Sequence, residues 1–377
     1  MRRPIRFAQR WVAVFAPVVA TVLTVGLCGT AMLPFAAAAA AAAATAPQEL
    51  VVSGQSHVEL RNFIGSVQVG EAPGRDYVVR VVGRQAGIAP EVRDGGRGLV
   101  VRWPADVATV HSPLAPQIGG WWFKGKVDYD GRRYAIQRGP QDVYADVTVL
   151  VPRGARLVVT QQFGQLQANA VRAGLRLETM GGEIVVAGSR GGLAVETGFG
   201  RVRVQGHDGE VKAETGSGEV VLDRNTGRQI ADTGSGEVRV LGGSGSLKAE
   251  TGSGDVFVQD FSGDIDAETG SGAVRATGLK AVRILKADTG SGEVQVQGEL
   301  SGVESLDIST GSGSVTVAST GVPALRLRVD TGSGDISASG AARLEGDEDH
   351  RVVVSGAGTH AGTIDTGTGG ITVRFGL

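Results

Sequence analysis

One short phrase recurs along the second half of the chain and decides the fold. It reads Glu214-Thr215-Gly216-Ser217-Gly218-Glu219-Val220, then Thr233-Gly234-Ser235-Gly236-Glu237-Val238, then Thr251-Gly252-Ser253-Gly254-Asp255-Val256. Looser copies begin at Thr160, Thr179 and Thr197, and later ones at Thr269, Thr289, Thr310, Thr331 and Thr366. Neighbouring copies lie 18 to 21 residues apart, except for a gap of 35 residues before the last one. A fixed period of this size predicts a solenoid.

Each copy encodes short strands. Val211, Ala213 and Thr215 alternate with charged residues, and after the Gly-Ser-Gly break Val220 and Leu222 continue the alternation. A period of two bounded by glycines is typical of half-buried strands. We therefore predict that the Thr column faces inward with the apolar residues, where its hydroxyls can bond along the stack or to the corner backbone. The glycines suit a corner because they adopt positive φ without a Cβ clash.

The repeat predicts an all-β protein, a β-solenoid (β-helix) of about 11–12 coils with repeats of 18–21 residues. Residues 143–377 hold the regular repeats. Residues 47–83 are expected to form a degenerate first coil, with Tyr77, Val79 and Val81 continuing it. Residues 84–142 are expected to be an irregular insertion that contains prolines and large aromatic residues.

Residues 1–46 differ from the rest of the chain. Four arginines precede a long apolar run, and Ala44-Thr45-Ala46 ends it with small residues. This pattern predicts a secretory signal peptide, with a retained N-terminal membrane anchor as the alternative. Cys28 is the only cysteine, so thiol chemistry is not expected after cleavage. Without residues 1–46 the formal charge is 33 − 39 = −6, which argues against nucleic-acid binding.

The phrase from Ala145 to Ala155, Ala-Asp-Val-Thr-Val-Leu-Val-Pro-Arg-Gly-Ala, runs into Gly-x-Val strands every 18 to 21 residues. In this it resembles the DUF4097 family of exported bacterial proteins labelled putative adhesins (GIN-like). The resemblance covers roughly residues 50–377. It implies a β-solenoid at the cell envelope, and it implies no catalytic residues.

No motif in the chain predicts chemistry. The Gly-Ser-Gly corners lack the helix and lysine of a phosphate-binding loop. Two acidic columns, beginning at Glu178 and Glu183, are interleaved with Lys and Arg and lack the nonapeptides of Ca²⁺-binding β-rolls. The five histidines lack metal-ligand spacing and are expected in solvated loops. We therefore predict no enzyme activity, no catalytic residues, no cofactor and no metal.

The insertion supplies the candidate partner-binding residues Trp121, Trp122 and Phe123, whose apolar surface suits a sugar, lipid or protein. Covering the solenoid is the alternative role for this cluster.

The first functional hypothesis is a non-catalytic, adhesin-like interaction module that is periplasmic, on the cell surface or extracellular. Its partner would be an unknown protein or glycan of the envelope, reached by multivalent contact along a repetitive face. The second is a structural or regulatory envelope protein that touches the membrane only through an uncleaved N-terminal segment. The third, which the uniform repeats disfavour, is a polysaccharide-active β-helix enzyme.

Overall fold

The structure is a computed structural model that describes residues 46–112, 125–139, 143–346 and 351–377. Its strands before the regular repeats are β1 (Gln48–Val52), β2 (His57–Glu71), β3 (Tyr77–Gly83), β4 (Ala89–Arg93), β5 (Gly98–Arg102), β6 (Thr109–Ser112), β7 (Lys126–Tyr129), β8 (Arg132–Arg138) and β9 (Ala145–Val151). The described residues contain no α-helix, only a 3-10 turn at Asp94–Gly96. None of them forms a helix long and apolar enough to span a bilayer.

The repeats contribute the remaining strands. They are β10 (Arg156–Asn169), β11 (Gly174–Gly181), β12 (Ile184–Ala187), β13 (Leu193–Phe199), β14 (Val202–Gln205), β15 (Val211–Ser217), β16 (Val220–Asp223), β17 (Thr226–Thr233), β18 (Val238–Leu241), β19 (Ser244–Thr251), β20 (Val256–Gln259), β21 (Ser262–Thr269), β22 (Val274–Leu279), β23 (Ile284–Thr289), β24 (Val294–Gly298), β25 (Ser305–Ser312), β26 (Val315–Ser319), β27 (Leu325–Thr331), β28 (Ile336–Gly340), β29 (Arg343–Gly346), β30 (Arg351–Val354), β31 (His360–Thr368) and β32 (Ile371–Phe375).

Each coil gives one strand to each of two parallel ladders. In the coil that starts at Val211, β15 pairs with β13 and β17, while β16 pairs with β14 and β18. We call the ladder through β15 the first ladder and the ladder through β16 the second ladder. Adjacent coils keep register, so Glu196 lies beside Glu214 and Thr197 beside Thr215. The β-solenoid prediction is confirmed.

The Thr column faces inward, because alternate side chains of a strand point to opposite faces. Thr215, Thr233 and Thr251 are at most 6% exposed. Each hydroxyl donates to the second corner glycine of the preceding coil, and the bond from Thr251 Oγ1 to the Gly236 carbonyl oxygen is 2.8 Å long. The column therefore joins neighbouring coils at the corner.

One copy was assigned one residue too early. Thr160 pairs with Glu178 in the outward column, and Gln161 occupies the inward position beside Thr179. In the coil before it Asn62 takes the same place. Gln161 Nε2 donates to the Gly65 carbonyl oxygen at 2.6 Å, so an amide replaces the hydroxyl where the corner sequence departs from Thr-Gly-Ser-Gly.

The second glycine of each corner is required by close approach between coils. A Cβ atom on Gly218, Gly236 or Gly254 would overlap the carbonyl oxygen of the equivalent glycine one coil earlier. Gly218 also has φ of +157°, but Gly236 and Gly254 lie outside the left-handed region. The expectation that positive φ selects these glycines is therefore only part of the reason, and stacking contact is the common one.

Antiparallel strands cover the N-terminal end. β2 stacks directly on β10 although the chain between them contains the whole insertion. Beyond β2, its second half pairs with β9, which continues antiparallel into β3 and then β1. Its first half pairs with β5, which carries the antiparallel β4. Tyr77, Val79 and Val81 were expected to continue the first coil, but they are buried in this antiparallel layer and do not extend the repeat.

The C-terminal end is not stacked in chain order. β31 lies between β25 and β27, and β32 lies between β26 and β28. The last coil of the chain, residues 360–375, is thus inserted between two coils that precede it. β30 and β29 then cover β27 in antiparallel fashion.

Candidate functional site

The aromatic candidates Trp121, Trp122 and Phe123 lie outside the described residues. The described part of the insertion is more regular than the sequence predicts, because β6, β8 and β7 form a three-stranded sheet. This sheet packs against the corners of the first two coils. The result is a second hydrophobic core, distinct from the interior of the solenoid.

Phe63 is the centre of this second core. Its ring stacks on Tyr129 with 5.0 Å between centroids and meets Trp103 edge-on at 5.2 Å. Tyr134 and Phe163 complete the cluster, and all five side chains are at most 5% exposed. The Tyr129 hydroxyl donates to the Val101 carbonyl oxygen at 2.8 Å. These rings cover the flank of the solenoid, where the corner carries Phe and Ile in place of Gly and Ser.

A column of carboxylates runs along the outer face of the first ladder. Strand pairing places an acid at the same position in seven consecutive coils, namely Glu178, Glu196, Glu214, Asp232, Glu250, Glu268 and Asp288. Hydrogen-bonded strands lie about 4.8 Å apart, so neighbouring carboxylates repel one another. Further along the stack, Ser309 interrupts the column before Asp365 and Asp330 resume it.

Cations offset this repulsion in every second coil. Lys212 Nζ lies 2.7 Å from Glu214, and Lys248 Nζ lies 2.7 Å from Glu250. Arg176 contacts Glu178 in the same way. The coils between them carry Ala194 and Ile230 at the equivalent position. The column therefore retains carboxylates that have no cation on their own strand.

The pKa values reflect this arrangement. Burial, followed by the negative charges of Glu250 and Glu214, raises the pKa of Asp232. The hydrogen bond to Glu250 raises the pKa of Lys248. The carboxylates of Glu214 and Glu250 therefore repel that of Asp232, and an added cation would relieve this repulsion.

A shallow groove accompanies the column along the corner. The side chains of Asp232, Glu250, Glu268 and Asp288 line one side, and Gly252 and Gly270 leave its floor free of side chains. We call this feature the acidic groove. Because it arises from the repeat, the same carboxylate and glycine pattern recurs coil after coil.

The second ladder shows the complementary alternation. Arg203, Arg239 and Arg275 follow one another at intervals of two coils. Phe257 lies between the last two, with both guanidinium groups over its ring at 5.3 and 5.5 Å from the centroid. The coils of Arg176, Lys212 and Lys248 carry the apolar residues Val185, Val221 and Phe257 here, so the cations of the two columns alternate from coil to coil.

The histidines do not share one environment, contrary to expectation. His207 is 2% exposed inside the solenoid, and its Nε2 lies 2.8 Å from the Gly191 carbonyl oxygen. Burial lowers its pKa. His360 is exposed in β31, and His57 contacts Glu59 in β2. Within the described ranges, no three His, Cys, Asp or Glu side chains are grouped as metal ligands.

We did not predict the buried polar residues beside His207 from the sequence. Asn225 Oδ1 accepts the His207 backbone N–H at 2.8 Å, and Gln229 is buried in the next strand. Ser189, His207 and Asn225 occupy one inward column in three consecutive coils. Other coils carry Val171 or Phe261 at this position. The signal was present, since Gln229-Ile230 reverses the usual apolar–charged order of Val211-Lys212.

The family model described as Toastrack DUF4097 matches residues 146–374, more than half of the chain. The chain belongs to the Toastrack DUF4097 family. The matched region begins in β9 and ends in β32, so the Toastrack match includes the carboxylate column and the inserted last coil. The coil of β2 and the aromatic insertion precede it.

Among solved structures, the Toastrack chain matches a crystal structure described as a putative cell adhesion protein from Clostridium sporogenes. The identity is 11%, the match covers 87% of this chain and 99% of that one, and the TM-score is 0.18. No curated protein matches the chain significantly.

Proposed function

We propose that this Toastrack protein is an exported, non-catalytic, adhesin-like interaction module of the bacterial envelope. Its contact surface would be the acidic groove and the carboxylate column beside it. The observation that supports this proposal is the constant register of the column over seven consecutive coils. A rigid row of identical groups allows many weak contacts to act together, which raises avidity without a deep pocket.

Charge indicates the chemistry of the partner. Between Arg176 and Asp288 the outer face of the first ladder presents nine carboxylates and five cations. The carboxylates are Glu178, Glu196, Glu214, Asp232, Glu250, Asp264, Asp266, Glu268 and Asp288, and the cations are Arg176, Lys212, Arg228, Lys248 and Lys286. The partner would therefore be a protein or glycan of the envelope that bears positive groups.

Binding to envelope fragments of the source bacterium tests the contact surface. The fragment 47–377 holds every strand pairing of the structure. Its binding should weaken as salt is raised, because exposed charges are screened. The double variant Glu196→Gln, Asp232→Asn should weaken it several-fold, since the position two residues before each carboxylate carries Ala194 or Ile230 and no cation.

The matched control is Glu183→Gln, Glu293→Gln, which also removes two negative charges but directly before the second-ladder strands β12 and β24. It should leave binding nearly unchanged. Equal loss in both variants would show that net charge matters and the column does not.

The N-terminus tests the proposed location. Mass spectrometry of the protein from an envelope fraction should show a chain that begins near Pro47. A chain that retains residues 1–46 would favour the second candidate, an anchored structural or regulatory protein, for which the arginine-flanked apolar run is the supporting observation. A protein recovered only from the cytoplasm would refute export.

A further inference from the structure

The two ladders end differently at the C-terminal end of the solenoid. In the first ladder, the last strand β27 is covered by β30, which in turn pairs with β29. In the second ladder, the last strand β28 pairs with β32 on one side. No strand of the described residues pairs with its other side.

The core is open at the same place. Ile336 and Ala338 of β28 occupy the columns that hold Ile371 and Val373 in the neighbouring coil. Those neighbours are 0% exposed, whereas Ile336 and Ala338 are only partly buried. The apolar interior of the second ladder thus reaches solvent beside β28.

The free edge has a defined set of hydrogen-bonding groups. The Asp335 carbonyl oxygen accepts from Ile371, and the Ala341 N–H donates to Phe375, so the odd-numbered residues face β32. Because the pattern alternates, the N–H and C=O groups of Ile336, Ala338 and Gly340 face away from the stack. Unpaired edges of this kind recruit another strand unless a charge or proline blocks them.

β28 carries no such block, since its sequence is Ile-Ser-Ala-Ser-Gly. At the N-terminal end the outer strand of the same ladder is β1, which carries Glu49 in an ion pair with Arg80, and the outer strand of the first ladder is β4, which contains Pro90. Addition of the C-terminal edge of one molecule to that N-terminal edge of another is therefore disfavoured.

We propose that β28 pairs antiparallel with β28 of a second copy of this chain, joining two solenoids at their C-terminal ends. Centred on Ala338, this register brings Ala338 opposite its own counterpart and Ile336 opposite Gly340. All three edge-facing residues then form hydrogen-bonded pairs at once, so the strand is complementary to itself. Asp335 comes opposite Ala341, which keeps the two Asp335 carboxylates at opposite ends of the junction. The dimer goes beyond the proposed function and does not depend on it.

Sedimentation of the fragment 47–377 tests the dimer. The wild-type fragment should show the mass of two chains at micromolar concentration. Ala338→Pro should give monomers, because proline removes an edge-facing N–H and blocks the approach of a second strand. Its melting temperature should stay close to that of the wild-type monomer, since that N–H makes no bond to β32.

A pair of lysine variants controls for side-chain charge. Ser337 and Thr316 occupy the same outward column, on the free edge and two coils inward respectively. Ser337→Lys should weaken the dimer at least tenfold at low salt, because the two introduced lysines lie on the paired strands and repel each other. Thr316→Lys should leave it intact.

A cysteine variant tests the register by covalent cross-linking, which does not depend on how stable the dimer is. The fragment contains no cysteine. In the proposed register two Ala338 Cα atoms lie about 5.5 Å apart, within reach of a disulfide. Ala338→Cys should therefore form a covalent dimer on mild oxidation, and Ala318→Cys, two coils inward, should not.

Three results would overturn the proposal. The first is a wild-type fragment that stays monomeric at concentrations far above the micromolar range. The second is a dimer that persists in Ala338→Pro and does not cross-link through Ala338→Cys. The third is a monomeric chain that captures a strand from a different protein.

Discussion

At the level of single residues, the inward column was predicted well because its reason is local. A strand alternates its faces strictly, so Thr251 must share a face with Ala249 and Leu247. The structure adds the partners, since Thr251 donates to Gly236 and accepts from the Gly254 N–H at 3.1 Å. Thr160 was misplaced because its corner reads Gln-Gln-Phe-Gly, where an amide does the work of the hydroxyl.

Substitutions on either side of this boundary should differ sharply. Thr251→Glu buries a carboxylate without a cation and should cost several kcal/mol of unfolding free energy. Glu250→Lys, next to it and outward, should change stability by less than about 0.5 kcal/mol. Thermal melts of the two variants measure the difference, and the reverse order would refute the inward assignment.

His207 could not be identified as buried from the sequence, because it falls between strands where the repeat is least regular. Its position next to Asp208 resembles a solvated turn. In the structure the ring lies inside the coil, with Nε2 toward the Gly191 carbonyl, and its Nδ1 atom is buried without a hydrogen-bond partner. Protonation would therefore place an unsatisfied charge in the interior.

This arrangement predicts a pH dependence with a definite sign. The pKa of His207 is lowered by burial, which outweighs the opposing effects of the Gly191 carbonyl oxygen, Asp208 and the Glu210 backbone. The unfolded chain thus binds a proton at higher pH than the folded one, and stability is complete above the ordinary His pKa of about 6.5 and declines below it. Between pH 7 and pH 5 the melting temperature of the wild-type protein should fall further than that of His207→Asn. Parallel curves for the two proteins would contradict the assignment.

At the level of elements, the corner was predicted from its glycines, but its physical cause appears only when coils are stacked. A single copy shows a turn, whereas the clash that excludes a side chain at Gly254 comes from Gly236, 18 residues earlier. The sequence still carries this information as the strict recurrence of the second glycine. Gly192, by contrast, has nothing within 4 Å of where a Cβ would lie.

Two alanine substitutions separate stacking from backbone freedom. Gly254→Ala should lower the unfolding free energy by about 3 kcal/mol or more, because backbone cannot move aside as a side chain can. Gly192→Ala should be neutral or slightly stabilising. Chemical denaturation measures both, and equal effects would mean that the corner accommodates a Cβ by a shift of the coils.

The large rings of the aromatic insertion were expected either to pack on the end or side of the solenoid or to stay exposed for a partner, and the described ones, Trp103, Tyr129 and Tyr134, are buried. The sheet of this insertion was missed, because β6 to β8 are short and separated by residues without a clear period. Trp121 and Trp122 remain the candidate contact residues. The double variant Trp121→Ala, Trp122→Ala distinguishes a covering role from a binding role.

A covering role should lower the melting temperature, as Trp103→Ala should do by exposing the second core. A binding role should leave the melt unchanged and abolish retention on envelope fragments. An effect on neither would place the contact surface elsewhere, with the acidic groove as the next surface to vary.

At the level of the whole molecule, the number and type of coils were predictable, but their order at the C-terminal end was not. Every coil presents the same columns, so the pattern is satisfied whichever coil lies beside which. The gap of 35 residues before Thr366 shows that extra chain precedes the last coil, but it does not show where in the stack that coil lies. The inserted coil has Gly362 where its neighbours have Leu306 and Leu327. A Cβ there would meet the Leu306 carbonyl oxygen and the Leu327 side chain, so this coil is fitted to a position between two others.

The same substitution in two coils can verify this order. Ile371 lies in the inserted coil with neighbours on both sides and is 0% exposed, while Ile336 occupies the same column in the terminal coil and is partly exposed. Ile371→Ala should therefore cost about 2–5 kcal/mol, as truncation of a buried isoleucine does. Ile336→Ala should cost markedly less, because its environment is already open on one side. If the coils stacked in chain order, residues 325–340 would be internal and the two costs would be exchanged. Equilibrium unfolding at a protein concentration low enough to keep the chain monomeric compares them directly, since pairing through β28 would bury Ile336 as well.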